Sequence, residues 1–138
     1  MIAYITYGAD DLAAARRFYD AFLPVLGYGV EEGPEGISYV LPVPDGARQV
    51  SPDFYVNPTF NREPATAGNG TMVAFEARDQ AQVRQLHAAG LAAGGTDEGR
   101  PGFRAAYSAN FYVCYLRDPQ GNKLAIFSSH PDDPTRED

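Results

Sequence analysis

Apolar residues recur along this chain with two periods, one of strands and one of helices. Residues 2 to 7 (IAYITY) are aromatic and β-branched, which predicts a strand. Leu12, Ala15, Phe18, Phe22 and Leu26 then return at spacings of three and four, the apolar stripe of a helix, while Arg16, Arg17 and Asp20 face elsewhere. Asp10 and Asp11 stand where a helix N-cap and first turn favour acidic oxygens. Pro24 disturbs the last turn and Gly27 ends it. Residues 36 to 41 (GISYVL) and 52 to 56 (PDFYV) are short strands around a Pro/Gly-rich turn, and residues 58 to 70 (PTFNREPATAGNG) form a long loop. The pattern then restarts. TMVAFEA (71 to 77) is a strand, Asp79 a cap, and Val83, Leu86, Gly90 and Ala93 continue a helix face. AAGGTDEGRPG reads as a glycine-rich connection, and 111 to 117 (FYVCYLR) and 123 to 128 (KLAIFS) as strands joined by the tight turn DPQGN. The polar, proline-broken tail HPDDPTRED is expected to fray.

This restart is a repeat. Residues 4 to 27 align without gaps on residues 72 to 95, a constant offset of 68. Ala9/Ala77, Asp11/Asp79, Ala13/Ala81, Arg16/Arg84, Ala21/Ala89, Leu23/Leu91 and Gly27/Gly95 are identical, and Tyr7/Phe75 is a near match. A fixed internal period means one supersecondary unit used twice. The unit here is strand, acidic turn, amphipathic helix and glycine stop.

Composition narrows the function. A chain of 138 residues suits one domain with a real core, and its 44% hydrophobic content argues against disorder. The net charge is −7, with one lysine, Lys123, and scattered arginines. No basic cluster is available for phosphate backbones or anionic membrane surfaces. No apolar run approaches a membrane span, and the N-terminus lacks the basic and apolar segments of a signal peptide. The lone Cys114 has no partner for an internal disulfide. A cytoplasmic protein is the expectation.

A strand, a helix and three strands, used twice, resemble the βαβββ pair of the vicinal oxygen chelate superfamily, the glyoxalase, bleomycin-resistance and dioxygenase family. The stretch YLRDPQGNKLAIF is similar to that family's closing hairpin, and GNGTMVAFEA followed by a helix and GGTDEGRPGFR is similar to its glyoxalase-like branch. The resemblance covers residues 1 to 129 and implies an α+β fold. Its two βαβββ modules, about 1 to 57 and 71 to 129, form a curved, open mixed sheet with the helices outside. Residues 58 to 70 link them and residues 130 to 138 form the tail. It further implies a homodimer and a concave face that holds a small molecule. In catalytic members of the family that face carries one divalent metal, a Lewis acid held by His on the first strand of each half and Glu on the last.

Carried onto this chain, the two histidine positions fall on Tyr4 and Met72 and the glutamate position on Ala125. A phenol, a thioether and a methyl group do not suit a hard or borderline divalent ion. The offset of 68 pairs Tyr4 with Met72 independently. The sequence therefore predicts that the usual metal site is absent, with no cofactor. His87, on a helix near its apolar stripe, and His130, at the start of the tail, read as a surface or half-buried residue and a solvated one. Cys114 reads as a small core group and Asp118 as the cap of its turn.

Strand alternation places Tyr4 and Thr6 on the cavity side and Ile5 and Tyr7 on the helix side. It likewise turns Met72 and Ala74 inward, with Ala125 and Phe127 on the last strand. Tyr115 joins them by resemblance to fosfomycin-resistance enzymes, which have a ligand-contacting tyrosine three residues before the turn aspartate. Phe54 or Tyr55 contributes from the first half, with Phe54 preferred and the parity open. The expected lining is aromatic and apolar, fitted to a partly apolar organic molecule held by stacking and a few hydroxyls. The same aromatics would equally suit a filled core. Three functions stay open: a protein that merely keeps the fold and serves as a partner or subunit, metal-free binding of such a molecule, or a lyase, isomerase or dioxygenase. The enzyme would use a displaced metal, or acid–base chemistry at Tyr4 or Tyr115 with Arg104 or Arg117 lowering the phenol.

Overall fold

The computed structural model describes residues 1–137. Its elements run β1 (Tyr4–Gly8), α1 (Leu12–Asp20), β2 (Gly29–Gly33), β3 (Gly36–Val40), β4 (Asp53–Asn57), β5 (Val73–Glu76), α2 (Gln80–Ala92), β6 (Thr96–Phe103), β7 (Tyr112–Arg117) and β8 (Lys123–Ser128). They build two four-stranded mixed sheets with the same topology, β1-β4-β3-β2 and β5-β8-β7-β6. In each, the first strand runs parallel to the last and the remaining pairs are antiparallel. The repeat is thus one βαβββ unit built twice.

Matching capping chemistry starts both helices. Asp11 Oδ1 accepts the Ala14 N–H at 2.9 Å, and Asp79 Oδ1 accepts the Gln82 N–H at 2.7 Å. Each satisfies an N–H that the helix itself leaves orphaned. Helix α1 stops at Asp20, earlier than its apolar stripe. The chain continues in turns through Pro24 to Gly27, whose φ of +99° suits glycine. The stripe still reaches the interior, because Phe22 and Leu23 are fully buried within those turns.

The buried residues of the two modules form one core across the seam between them. Phe75 of β5 lies 5.3 Å from Phe54 of β4, edge-on, and also meets Phe22 and Tyr28. The DPQGN turn latches the modules together. Asp118, 3% exposed, accepts from the Tyr19 hydroxyl at 2.7 Å on one side. On the other it accepts the Gln120 and Asn122 N–H groups and the Asn122 amide, each at 2.9 Å. Asn122 in turn donates to the Gly8 carbonyl, and the Tyr7 hydroxyl donates to the Lys123 carbonyl at 2.6 Å. Asp118 is therefore the turn cap its position suggested, and also a bridge to the other module.

Three expectations need correction. Strands β2 and β6 are not apparent in the sequence, where the second reads as a loop. GVEEG and TDEGRPGF lack the alternation of a half-buried strand, because they are made largely of Gly, Pro and acidic residues, mostly exposed at a sheet edge. Strand β6 also slips register between Asp97 and Gly99 and again before Gly102. The tail does not fray within its described part. Asp133 accepts the Gln80 N–H at 2.7 Å, the Gln80 amide donates to the Pro134 carbonyl, and the Arg136 N–H donates to the Ala109 carbonyl. His87 is buried, not superficial: its Nε2 lies 2.9 Å from Asp97 Oδ1, a contact that ties α2 to β6.

Glycine makes one close approach possible. A Cβ on Gly95 would stand 2.4 Å from the Phe18 ring and 2.9 Å from the Gly90 carbonyl oxygen. Gly95→Ala is expected to lower stability by about 1–3 kcal/mol through overpacking. The midpoint of denaturant unfolding would read this, and an unshifted midpoint would mean that Phe18 swings aside freely.

Candidate functional site

Strand register sorts the predicted positions. Tyr4 and Thr6 stand on the open face of the first sheet, opposite the core face that carries Ile5 and Tyr7, and Tyr4 is 62% exposed. Thr6 pairs with Tyr55, so Tyr55 shares that face, and its ring lies 5.4 Å from that of Tyr4. Phe54 points the other way, 2% exposed among Tyr7, Tyr19, Tyr39 and Phe75. The parity left open between these two residues thus has Tyr55 on the open face and Phe54 on the core face. The second unit repeats the pairing: Thr6 pairs with Tyr55 as Ala74 pairs with Ala125, so the offset of 68 between first strands is 70 between last strands and the facing is the same.

The second open face is built the same way. Ala74, Ala125 and Tyr115 form one row across β5, β8 and β7. Ala125 is buried, while the Tyr115 ring lies between Arg104, at 5.3 Å, and the Lys123 ammonium, at 4.9 Å. Phe127 stacks on Phe111 at 5.2 Å, and Tyr107 meets Phe111 edge-on. Met72 immediately precedes β5 and is 44% exposed.

These two faces do not converge on one cavity wall. A cavity of about 440 Å³ opens instead at the seam between the modules. Ile5, Tyr28, Phe54, Val73, Phe75 and Phe127 give it apolar and aromatic walls. Asp53 and Glu76 supply carboxylates, and the Asp53 carboxylate is held by the Gln49 amide at 2.9 Å and the Tyr55 hydroxyl at 3.2 Å. Of the predicted residues, Phe54, Ala74 and Phe127 line this cavity. Thr6 and Met72 line neighbouring grooves. Tyr28, Asp53 and Glu76 went unnoticed in the sequence because they come from a turn, a strand end and a parity that only the packing of two modules brings together.

Burial shifts Tyr115, Tyr28 and Cys114 away from reactivity. Burial raises the Tyr115 phenol above its ordinary value, the neighbouring Tyr107 adds to the rise, and Arg104 only offsets part of it. Burial raises the Tyr28 phenol, and the Asp53 charge pushes in the same direction. Cys114, fully buried in β7, has its thiol pushed up to about 12, chiefly by burial. Among the described residues, no group of three or more His, Cys, Asp or Glu is placed to hold a metal ion. The donors at Tyr4, Met72 and Ala125 do not fit the divalent ion that the resemblance implies.

Solved structures with the same architecture bear on identity. The chain is 36% identical to a glyoxalase/bleomycin resistance protein from Albidiferax ferrireducens, with a TM-score of 0.76, over 93% of this chain and 98% of that one. It is 22% identical to a glyoxalase-related enzyme from Fulvimarina pelagi (TM-score 0.69, covering 93% of this chain and 87% of that one). It is 20% identical to a glyoxalase/bleomycin resistance protein/dioxygenase family enzyme from Burkholderia phytofirmans (TM-score 0.67, covering 93% and 98%). The last two likenesses speak for the fold alone. No family sequence model and no curated protein matches the chain.

Proposed function

The chain belongs to the glyoxalase/bleomycin resistance protein family, and we propose that it binds a small, partly apolar or aromatic organic molecule without the family's divalent metal. One observation carries this reading. The three positions that would grip an ion hold a phenol, a thioether and a methyl group, at Tyr4, Met72 and Ala125. The seam cavity supports it. Its volume of about 440 Å³ suits a small organic ligand. Its aromatic walls offer stacking, and Phe54, Ala74 and Phe127 are the proposed contacts there. Tyr4, Thr6, Tyr115 and Ala125 extend the binding surface across the open faces.

The competing reading is a lyase, isomerase or dioxygenase that uses a tyrosine as acid or base. It needs a phenol lowered toward neutrality. The surroundings of Tyr115 act in the opposite sense, since burial and Tyr107 outweigh Arg104. At neutral pH Tyr115 keeps its proton and is suited to stack and donate, not to abstract.

We extend the proposal to a homodimer. Ile2 is 64% exposed, an apolar side chain that a second copy would cover. No helix among the described residues is long and apolar enough to cross a membrane.

Protein purified without added metal tests the reading. Elemental analysis should find zinc, nickel, iron and manganese far below stoichiometric. A neutral naphthol followed by ligand-observed NMR should bind saturably, with the same affinity before and after chelator treatment. Light scattering on the same sample should give twice the monomer mass. Stoichiometric metal whose removal abolishes naphthol binding would overturn the proposal.

A further inference from the structure

We infer that the trough between residues 66–72 and the β7–β8 hairpin is an oxyanion site, which takes the phosphate or carboxylate group of a small molecule. The argument begins with charge. The chain has 18 acidic residues against 11 basic ones, and its one lysine is Lys123. Lys123 pairs in register with Arg117 at the start of the hairpin. Like charges directly opposite on a sheet face are destabilising. Arg117 is compensated: it donates to the Gly121 carbonyl at 2.8 Å and to Glu98 at 3.1 Å. Lys123 forms no contact ion pair among the described residues, although its charge reaches Glu98, and its ammonium rests over the Tyr115 ring. A half-buried cation that makes no contact ion pair, and shares the field of Glu98 with Arg117 opposite it, leaves positive charge here for an anion.

The walls have matching chemistry. A groove of about 450 Å³ is lined by Arg117, Lys123 and the loop Gly68, Asn69, Gly70, Thr71. A smaller one, about 230 Å³, shares Gly68, Thr71 and Lys123 and adds the hydroxyls of Thr6 and Thr66. No aspartate or glutamate lines either groove. Gly70 has a φ of +100° and open space where its Cβ would stand, so a ligand can approach the backbone there closely. The assembled groups are an ammonium, a guanidinium, hydroxyls and backbone amides, which donate to an oxyanion and offer little to a cation. The site is separate from the seam cavity, and its existence does not depend on that cavity's being metal-free.

Titration of the ¹⁵N-labelled protein with inorganic phosphate and, separately, with phenyl phosphate tests the inference. The amide signals of Gly68, Gly70 and Thr71 should shift saturably. Lys123→Gln, which keeps most of the side-chain stem, should weaken binding by about tenfold or more, as expected for a charge-assisted hydrogen bond. Thr71→Val should weaken it less and gives a second reading that leaves the charges in place; the dispersion of each variant's spectrum checks its fold. Tighter binding of phenyl phosphate would assign the site to an organic anion, and equal binding to the free ion. Absence of saturable shifts with both anions, or the same affinity in Lys123→Gln as in the parent, would overturn the inference. Naphthol binding at the seam should be unchanged in Lys123→Gln, so the two proposals fail independently.

Discussion

Asp118→Ala is expected to lower the stability of the fold by about 3–5 kcal/mol, because it strips partners from several buried polar groups at once. Its carboxylate accepts from the Tyr19 hydroxyl, two backbone N–H groups and the Asn122 amide. Tyr19 is fully buried and Asn122 is 5% exposed, so water does not readily replace what is lost. Asp118→Asn keeps the size but sets one amide against another at Asn122, so an intermediate loss is expected. Tyr19→Phe removes a donor and leaves the carboxylate its other partners, and should cost only about 1 kcal/mol. Urea unfolding of the three variants measures this order. Equal losses for Asp118→Ala and Tyr19→Phe would mean that the turn contributes nothing beyond one hydrogen bond. The prediction concerns more than stability, since this turn places Lys123 and begins the strand that carries Ala125 and Phe127.

Phe75→Ala should be comparably severe, by about 3–5 kcal/mol for a buried aromatic truncated in a packed interior. Phe75 is 5% exposed and belongs to the second module, yet its ring neighbours Phe22, Tyr28 and Phe54 belong to the first. The loss therefore falls on the seam. It also removes part of the cavity wall, so naphthol affinity should change along with stability. Phe75→Leu retains most of the apolar volume and should lose about 1–1.5 kcal/mol. Denaturant midpoints and the naphthol titration together distinguish a wall residue from a mere filler. A large stability loss with unchanged naphthol binding would place the ligand elsewhere than the seam.

Much of this architecture is legible along the chain. The offset of 68 locates both helices to the residue at their N-termini, since Asp11 and Asp79 are the caps in fact. The apolar stripe of the first helix goes where its periodicity points, even past the helix end. The membership of each strand's two faces also follows from alternation, as Tyr4 with Thr6 and Ala74 with Ala125 show. Strands β2 and β6 escaped because their Gly, Pro and acidic residues stay largely exposed and leave little alternation to reveal. The parity of Phe54 and Tyr55 stayed open because alternation says which residues share a face but not which face meets the core, and that is visible only from the partner strand.

The site divides along the same line. Sequence alone determined which chemistry is present: a phenol, a thioether and a methyl at the grip positions, one lysine, and aromatic strands twice over. Only the tertiary structure decided which of these groups meet. Tyr28, Asp53 and Glu76 join Phe54 and Phe127 around one cavity, and Lys123 is set opposite Arg117, which holds Glu98. The physical reason is that periodicity is a local property of the backbone, set within a few residues by helix and strand geometry. Proximity across a seam depends instead on how two folded units pack, through contacts such as Tyr19 with Asp118 that lie 99 residues apart.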